Sequence, residues 1–157
     1  MYRFFFIIFI CCKAMTFAQN PGPQELEGLG NFIKSFEAAW NTHNSQALSS
    51  LWAQDGDLIT PWGRWIMGPA QIEKHFEKEK LGPFGKSQIF MSMDSSRAFN
   101  PQAIVMDVTI RLQNIVDPKN EWPPTLLQHG TFLLVKNKDQ WKIVTARIYQ
   151  FQHASMN

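Results

Sequence analysis

The stretch Leu51 to Phe76, LWAQDGDLITPWGRWIMGPAQIEKHF, constrains the fold of this chain more than any other. Asp55-Gly56-Asp57 reads as an acidic turn, and Leu58 to Met67 as a hairpin whose two short strands cross at Pro61-Trp62-Gly63. Gly68-Pro69 then opens a helix, with proline at an early position where its missing N–H costs nothing. Ile72 and Phe76 mark the buried side of that helix, and Gly82-Pro83 stops it. An aromatic-rich hairpin followed by a short amphipathic helix belongs to a fold built around a pocket, which points to a small molecule rather than to DNA or a large partner.

The flanking segments supply the rest of such a fold. Leu26, Leu29, Phe32, Ile33, Phe36, Ala39 and Trp40 step by three and four, so a long first helix carries one apolar stripe and ends near Thr42-His43. Asn44 or Ser45 caps a shorter helix with Leu48, Leu51 and Trp52. Beyond the third helix the pattern is that of strands: Lys86 to Met93, Ala103 to Leu112, Leu126 to Val135 and Trp141 to Phe151. In the second of these, Ile104, Met106, Val108, Ile110 and Leu112 alternate with Asp107, Thr109 and Arg111. The expected class is α+β: a curved, mostly antiparallel sheet wrapped as a cone around the long first helix, with two shorter helices and an open mouth.

The chain has 157 residues, enough for one domain. Arg3, the apolar run Phe4 to Cys12, and the small residues Thr16 and Ala18 form the pattern of a secretory signal peptide over residues 1–18. The apolar run is shorter than the roughly 20 residues a bilayer span needs. Residues 19–25 read as a flexible lead and 26–152 as the domain. Cleavage after Ala18 removes Arg3, Lys13, Cys11 and Cys12, taking the formal net charge from +2 to zero and leaving no cysteine. That excludes a disulfide, a thiol nucleophile and a thiolate metal site in the mature chain. A neutral surface does not suit nucleic acid. The expectation is a secreted or periplasmic protein without membrane attachment after cleavage.

Each side chain with candidate chemistry carries two readings. Trp62 and Trp65 make either an aromatic wall for a flat ligand or a packing rib. His75 is an acid or base at the pocket rim, or a hydrogen-bonded structural histidine. His129 shares a strand face with Leu127, Thr131, Leu133 and Val135, where a polar group needs a partner, and is the first choice for a polar group inside the cone. Arg147 and Tyr149, grouped by alternation with Trp141, Ile143, Thr145 and Phe151, clamp a carboxylate and donate a hydroxyl, or else sit on an outer sheet that forms a dimer. Asp107 is a catalytic base or a member of a surface polar row with Thr109 and Arg111. Asp55 and Asp57 are explained by turn chemistry. The four histidines, His43, His75, His129 and His153, have no metal-ligand spacing, and no phosphate loop is present, so no metal or cofactor is expected.

Several of these pieces resemble the nuclear transport factor 2-like superfamily, in its SnoaL-like and SgcJ/EcaC branch. They are Ala38-Ala39-Trp40-Asn41, then Ala47 and Leu51-Trp52-Ala53 before Asp55, then Gly63, Trp65, Gly68, Ile72 and His75, and finally Trp141-Lys142-Ile143-Val144. The resemblance spans about Leu26 to Gln150. It implies a cone-shaped α+β fold, often homodimeric through the outer sheet, with functions from isomerases and cyclases to non-catalytic association modules. The general base of the ketosteroid isomerases falls at Thr60, their tyrosine at Phe36 and their buried acid near His129 to Thr131, so none of those three groups is present.

Three functions remain open from the sequence. The first is binding of a small, largely apolar molecule through Trp62, Trp65, His75, His129, Arg147 and Tyr149. The second is a cofactor-free isomerase, cyclase or dehydratase with His129 or Asp107 as base. The third is a homodimeric association module.

Overall fold

The computed structural model describes residues 20–151, so the expected leader and residue 152 lie outside the described residues. Helix α1 runs Pro23–Asn41, three residues earlier than the apolar stripe indicates, because Pro23 occupies the first turn and needs no N–H partner there. His43 in the left-handed region (φ 52°) turns the chain out of α1. Helix α2, Ser45–Ser49, starts where Asn44 Oδ1 accepts the Ala47 N–H at 2.9 Å. Helix α3 covers Pro69–Leu81, bounded by Gly68 (φ 75°) and Gly82 as the sequence indicates, and a 3-10 turn follows at Pro83–Lys86.

Six strands form one curved sheet in the order β2-β1-β6-β5-β4-β3. They are β1 (Trp52–Ile59), β2 (Trp65–Met67), β3 (Gln88–Asn100), β4 (Ala103–Gln113), β5 (Thr125–Asn137) and β6 (Gln140–Tyr149). All pairings are antiparallel except β1 with β6, which is parallel. The inner face is set by β4, where Ile104, Met106, Val108, Ile110 and Leu112 are buried, and it continues on β5 through Leu126, Gln128, Phe132 and Leu134. Helix α1 lays Leu29, Phe32, Phe36 and Ala39 onto that face, and the rings of Phe36 and Phe132 meet edge-on with centroids 6.1 Å apart. On the next helical position round, Glu37 and Asn41 reach the open edge of β3. Glu37 Oε1 accepts the Met91 N–H at 2.6 Å, and Asn41 accepts the Ile89 N–H at 2.7 Å while donating to the Ile89 carbonyl. Residues four apart on a helix thus satisfy residues two apart on an edge strand.

Two irregularities decide which side chains face inward. On β6, Leu133 pairs with Thr145 but Leu134 with Ile143, so Val144 is an extra, unpaired residue. Before it, Trp141 and Ile143 point inward; after it, Ala146 and Ile148 do, and Thr145, Arg147 and Tyr149 point outward. On β1, the residues expected as an acidic turn are a bulge within one strand: Trp52 pairs with Ile143 and Asp57 already with Thr145. Gly56 is required there, since a Cβ would stand 2.6 Å from the Ile143 carbonyl oxygen.

The bulge drops the Asp57 carboxylate into the joint between the parallel strands. It receives Thr145 Oγ1 at 2.6 Å, both terminal nitrogens of Arg147 at 3.0 and 2.8 Å, and the Trp65 indole N–H at 2.6 Å. Burial pushes this carboxyl upward, but those hydrogen bonds and the guanidinium charge outweigh it, holding it below its ordinary value of 3.8. A depressed folded pKa stabilises the protein above the carboxyl's unfolded pKa and loses that contribution as pH falls through the folded one. Asp57→Asn should lower unfolding free energy by about 2 kcal/mol at pH 7, less than the 3–5 of a fully buried pair because Arg147 is partly in water. The gap between variant and wild type should narrow below about pH 4, near the unfolded carboxyl's own pKa; urea denaturation across pH 3–7 measures both effects.

Candidate functional site

Between the inner face of the sheet and helices α1 and α3 lies a cavity of about 70 Å³. Its floor is aromatic. The ring of Trp52 sits 6.1 Å from Phe36 and 5.9 Å from Phe76, and Trp40 meets Phe76 edge-on at 5.8 Å. These four rings fill much of the cone, so the hollow is narrower than long strands around one helix would enclose by themselves. At the mouth stand Trp62 and Phe84, backed by Trp122, whose ring lies 5.4 Å from Trp62 and 5.7 Å from Phe84. Asp117 fixes Trp122 there by accepting the N–H groups of Lys119, Glu121 and Trp122 itself.

Four polar side chains line the cavity: Thr60, His75, Glu79 and Gln128. Thr60 closes the hairpin, its Oγ1 accepting the Arg64 N–H at 3.2 Å. His75 and Glu79 are four residues apart on α3 and share one face. Burial, reinforced by the charges of Arg64 and Lys78, lowers His75 to a pKa of about 4, so the imidazole is neutral at pH 7. Burial raises the Glu79 carboxyl, with Arg64 opposing. Gln128 is on β5, opposite Ile110. Among the described residues no three His, Cys, Asp or Glu side chains come together as a metal site.

Of the residues singled out from sequence, Trp62 and His75 line the cavity and the others do not. Trp65 belongs to a three-residue strand whose alternation turns only Ile66 inward; its exposed ring lies on the outer side, hydrogen-bonded to Asp57. His129 is one residue out of phase with the inner face. It packs on the outer side, with Tyr149 and Phe151 rings at 5.9 and 5.0 Å and Thr109 Oγ1 at 3.5 Å. Asp107 is also outside, accepting from Ser95 Oγ at 2.8 Å and Thr131 Oγ1 at 2.7 Å. Neither His129 nor Asp107 can serve as a base in the cavity. Arg147 and Tyr149 face outward because of the extra residue Val144.

Sequence reasoning missed Gln128 and Glu79. Glu79 carried a signal: it follows His75 by one helical turn, as Phe76 follows Ile72. Gln128 carried one only through register, since it pairs with Ile110 on the strand whose inner face was legible. Thr60 and Phe36, where the ketosteroid-isomerase base and tyrosine fall, both line the cavity and carry no acid.

No family model matches the chain, and no curated protein matches it. Solved structures do. A domain of unknown function with a cystatin-like fold from Nostoc punctiforme superposes with a TM-score of 0.71 at 17% identity, covering 84% of this chain and 80% of that one. An NTF-2-like protein of unknown function from Shewanella oneidensis gives 0.64 at 19% identity, covering 80% and 99%. A putative scytalone dehydratase from Novosphingobium aromaticivorans gives 0.68 at 13%, covering 82% and 85%. At these identities the likeness is one of backbone. The curved sheet, the helix across it and the mouth beside the first hairpin are those of the nuclear transport factor 2-like cone fold, and this chain has that fold.

Proposed function

We propose that this protein binds a small, largely apolar molecule in the cone cavity, acting as a secreted or periplasmic homodimer once residues 1–18 are removed. The observation that carries the reading is the aromatic hollow behind Trp62, reached from solvent and floored by Phe36, Trp40, Trp52 and Phe76. A cofactor-free isomerase, cyclase or dehydratase is the second reading, favoured by the raised carboxyl of Glu79. His75 does not favour it. With a pKa of about 4 it is roughly a thousandfold weaker as a base than one matched to neutral pH, and it serves better as a neutral hydrogen-bonding group.

Support for the homodimer comes from the outer face. Phe90 on β3 pairs with Arg111 on β4, which pairs with Leu127 on β5, and Phe151 lies just beyond, against His129. Phe90 on β3, Leu127 on β5, Tyr149 on β6 and Phe151 just past its end are all exposed, an apolar patch broken on β4 by Arg111. Sedimentation at micromolar concentration should show a dimer, and Leu127→Arg should yield a folded monomer.

Filling the hollow tests the binding reading. Toluene should change the tryptophan emission and raise Tm in a concentration-dependent way. Ile110→Phe, which places a larger group in the wall at a cost of about 1–3 kcal/mol, should abolish the response while the protein stays folded.

The histidine makes a separate prediction. Its folded pKa is depressed from 6.5 to about 4, so the unfolded chain takes up the proton first. Its contribution is complete above about pH 6.5 and is lost as pH falls towards 4. Stability should therefore drop by about 3 kcal/mol over that window, offset in part by Glu79, whose raised carboxyl acts in the opposite sense. In His75→Gln the drop should largely vanish, which chemical denaturation at stepped pH will show.

A further inference from the structure

Two side chains in the cavity wall have polar atoms that the protein leaves without partners. Gln128 is 5% exposed and His75 is 8% exposed, and both face the hollow. Among the described residues no backbone or side-chain group hydrogen-bonds the Gln128 amide or the His75 ring, although the polar groups of the outer face are richly paired. Neither atom set is sealed from the cavity, so the partner must come from whatever enters it. Packing alone would be served better by a leucine at position 128, beside Leu126 and Leu134 on the same inner face.

Resting on the binding function proposed above, we propose that the ligand is a neutral, single-ring aromatic molecule with one hydroxyl substituent, its ring among Trp52, Phe76 and Ile110 and its hydroxyl on Gln128 and His75. A hydroxyl donates one hydrogen bond and accepts others, which matches an amide and a neutral imidazole that each offer a donor and an acceptor. The size follows from the volume. About 70 Å³ is less than half the roughly 150 Å³ that encloses benzene, so at most one ring enters and the rest of the molecule stands in the mouth at Trp62.

Charge is set by the surroundings. A carboxylate would lose its hydration among aromatic rings and find no wall cation in exchange, because Arg64 and Lys78 are exposed outside the lining. An ammonium would bring a third cation near those two, whose charges already disfavour protonation of His75, and would face a Glu79 carboxyl biased towards its neutral form.

Calorimetric titration of the full chain with toluene, phenol, benzoate and benzylammonium at pH 7 tests this. Phenol should bind at least tenfold more tightly than each of the others. In Gln128→Leu the phenol affinity should fall to that of toluene, with toluene held or improved. Toluene binding as tightly as phenol to the wild type would overturn the hydroxyl assignment and leave the apolar site standing. Benzoate or benzylammonium binding most tightly would overturn the neutral class. Failure of all four to bind would overturn the site itself. The wild-type panel decides among these even if the variant fails to fold.

Discussion

The hold of α1 on the edge of β3 is the contact on which the rest of the structure depends. A curved sheet with one apolar face is not stable in water unless something covers that face, and an edge strand left open invites further pairing. Here one helix meets both needs. Leu29, Phe32, Phe36 and Ala39 cover the sheet, and Glu37 and Asn41, on the flank of the same stripe, take the free backbone groups of Met91 and Ile89. The hydrogen bonds fix the height of the helix along the strand, and that height puts Phe36 and Trp40 at the cavity floor. Slipping the helix by a turn would move those rings out of the cavity and unpair the edge together, so the two sets of contacts reinforce one register.

That coupling explains why the gross architecture was legible in the sequence and the site was only half so. A helix stripe of seven apolar residues from Leu26 to Trp40 and the strict alternation of Ala103 to Leu112 each carry enough repeats to state their phase. The strand Thr125–Asn137 does not, because its two faces offer Leu126, Phe132 and Leu134 against Leu127, Leu133 and Val135. Apolar content is almost equal on both, and a phase error of one residue exchanged Gln128 for His129. The last strand was harder still. Its alternation is real on either side of Val144, but one inserted residue inverts it, and inserted residues leave no mark in a run as uniformly β-forming as Trp-Lys-Ile-Val-Thr. Asp55-Gly56-Asp57 misled in the opposite sense. Its turn chemistry is expressed, as a bulge that keeps the strand going and needs its glycine for want of space.

The two faces of the sheet use polar groups in opposite ways, and the contrast locates function better than any single residue does. Outside, Asp57 and Asp107 have every nearby donor engaged: Thr145, Arg147 and Trp65 on one, Ser95 and Thr131 on the other. Such saturated carboxylates hold strands in register and have little left to offer a reacting molecule. Inside, the Gln128 amide and the His75 ring bond to no protein group among the described residues and open onto the cavity, and Glu79 is displaced from its ordinary titration. A folded chain tolerates that imbalance only where solvent or a ligand supplies the missing partner.

The same contrast separates binding from catalysis in the cone. Proton transfer at neutral pH calls for a base whose affinity for the proton is close to that of the medium. The groups best arranged to hold a charge here, Asp57 with Arg147, lie on the wrong side of the sheet, and their mutual saturation lowers the carboxylate's basicity. The imidazole within the cavity is driven the same way by burial and by neighbouring cations. What the interior retains is shape, aromatic surface and two uncharged hydrogen-bonding groups. That inventory recognises a neutral molecule by fit and by one polar contact, and Glu79 is the single wall group whose chemistry extends beyond recognition.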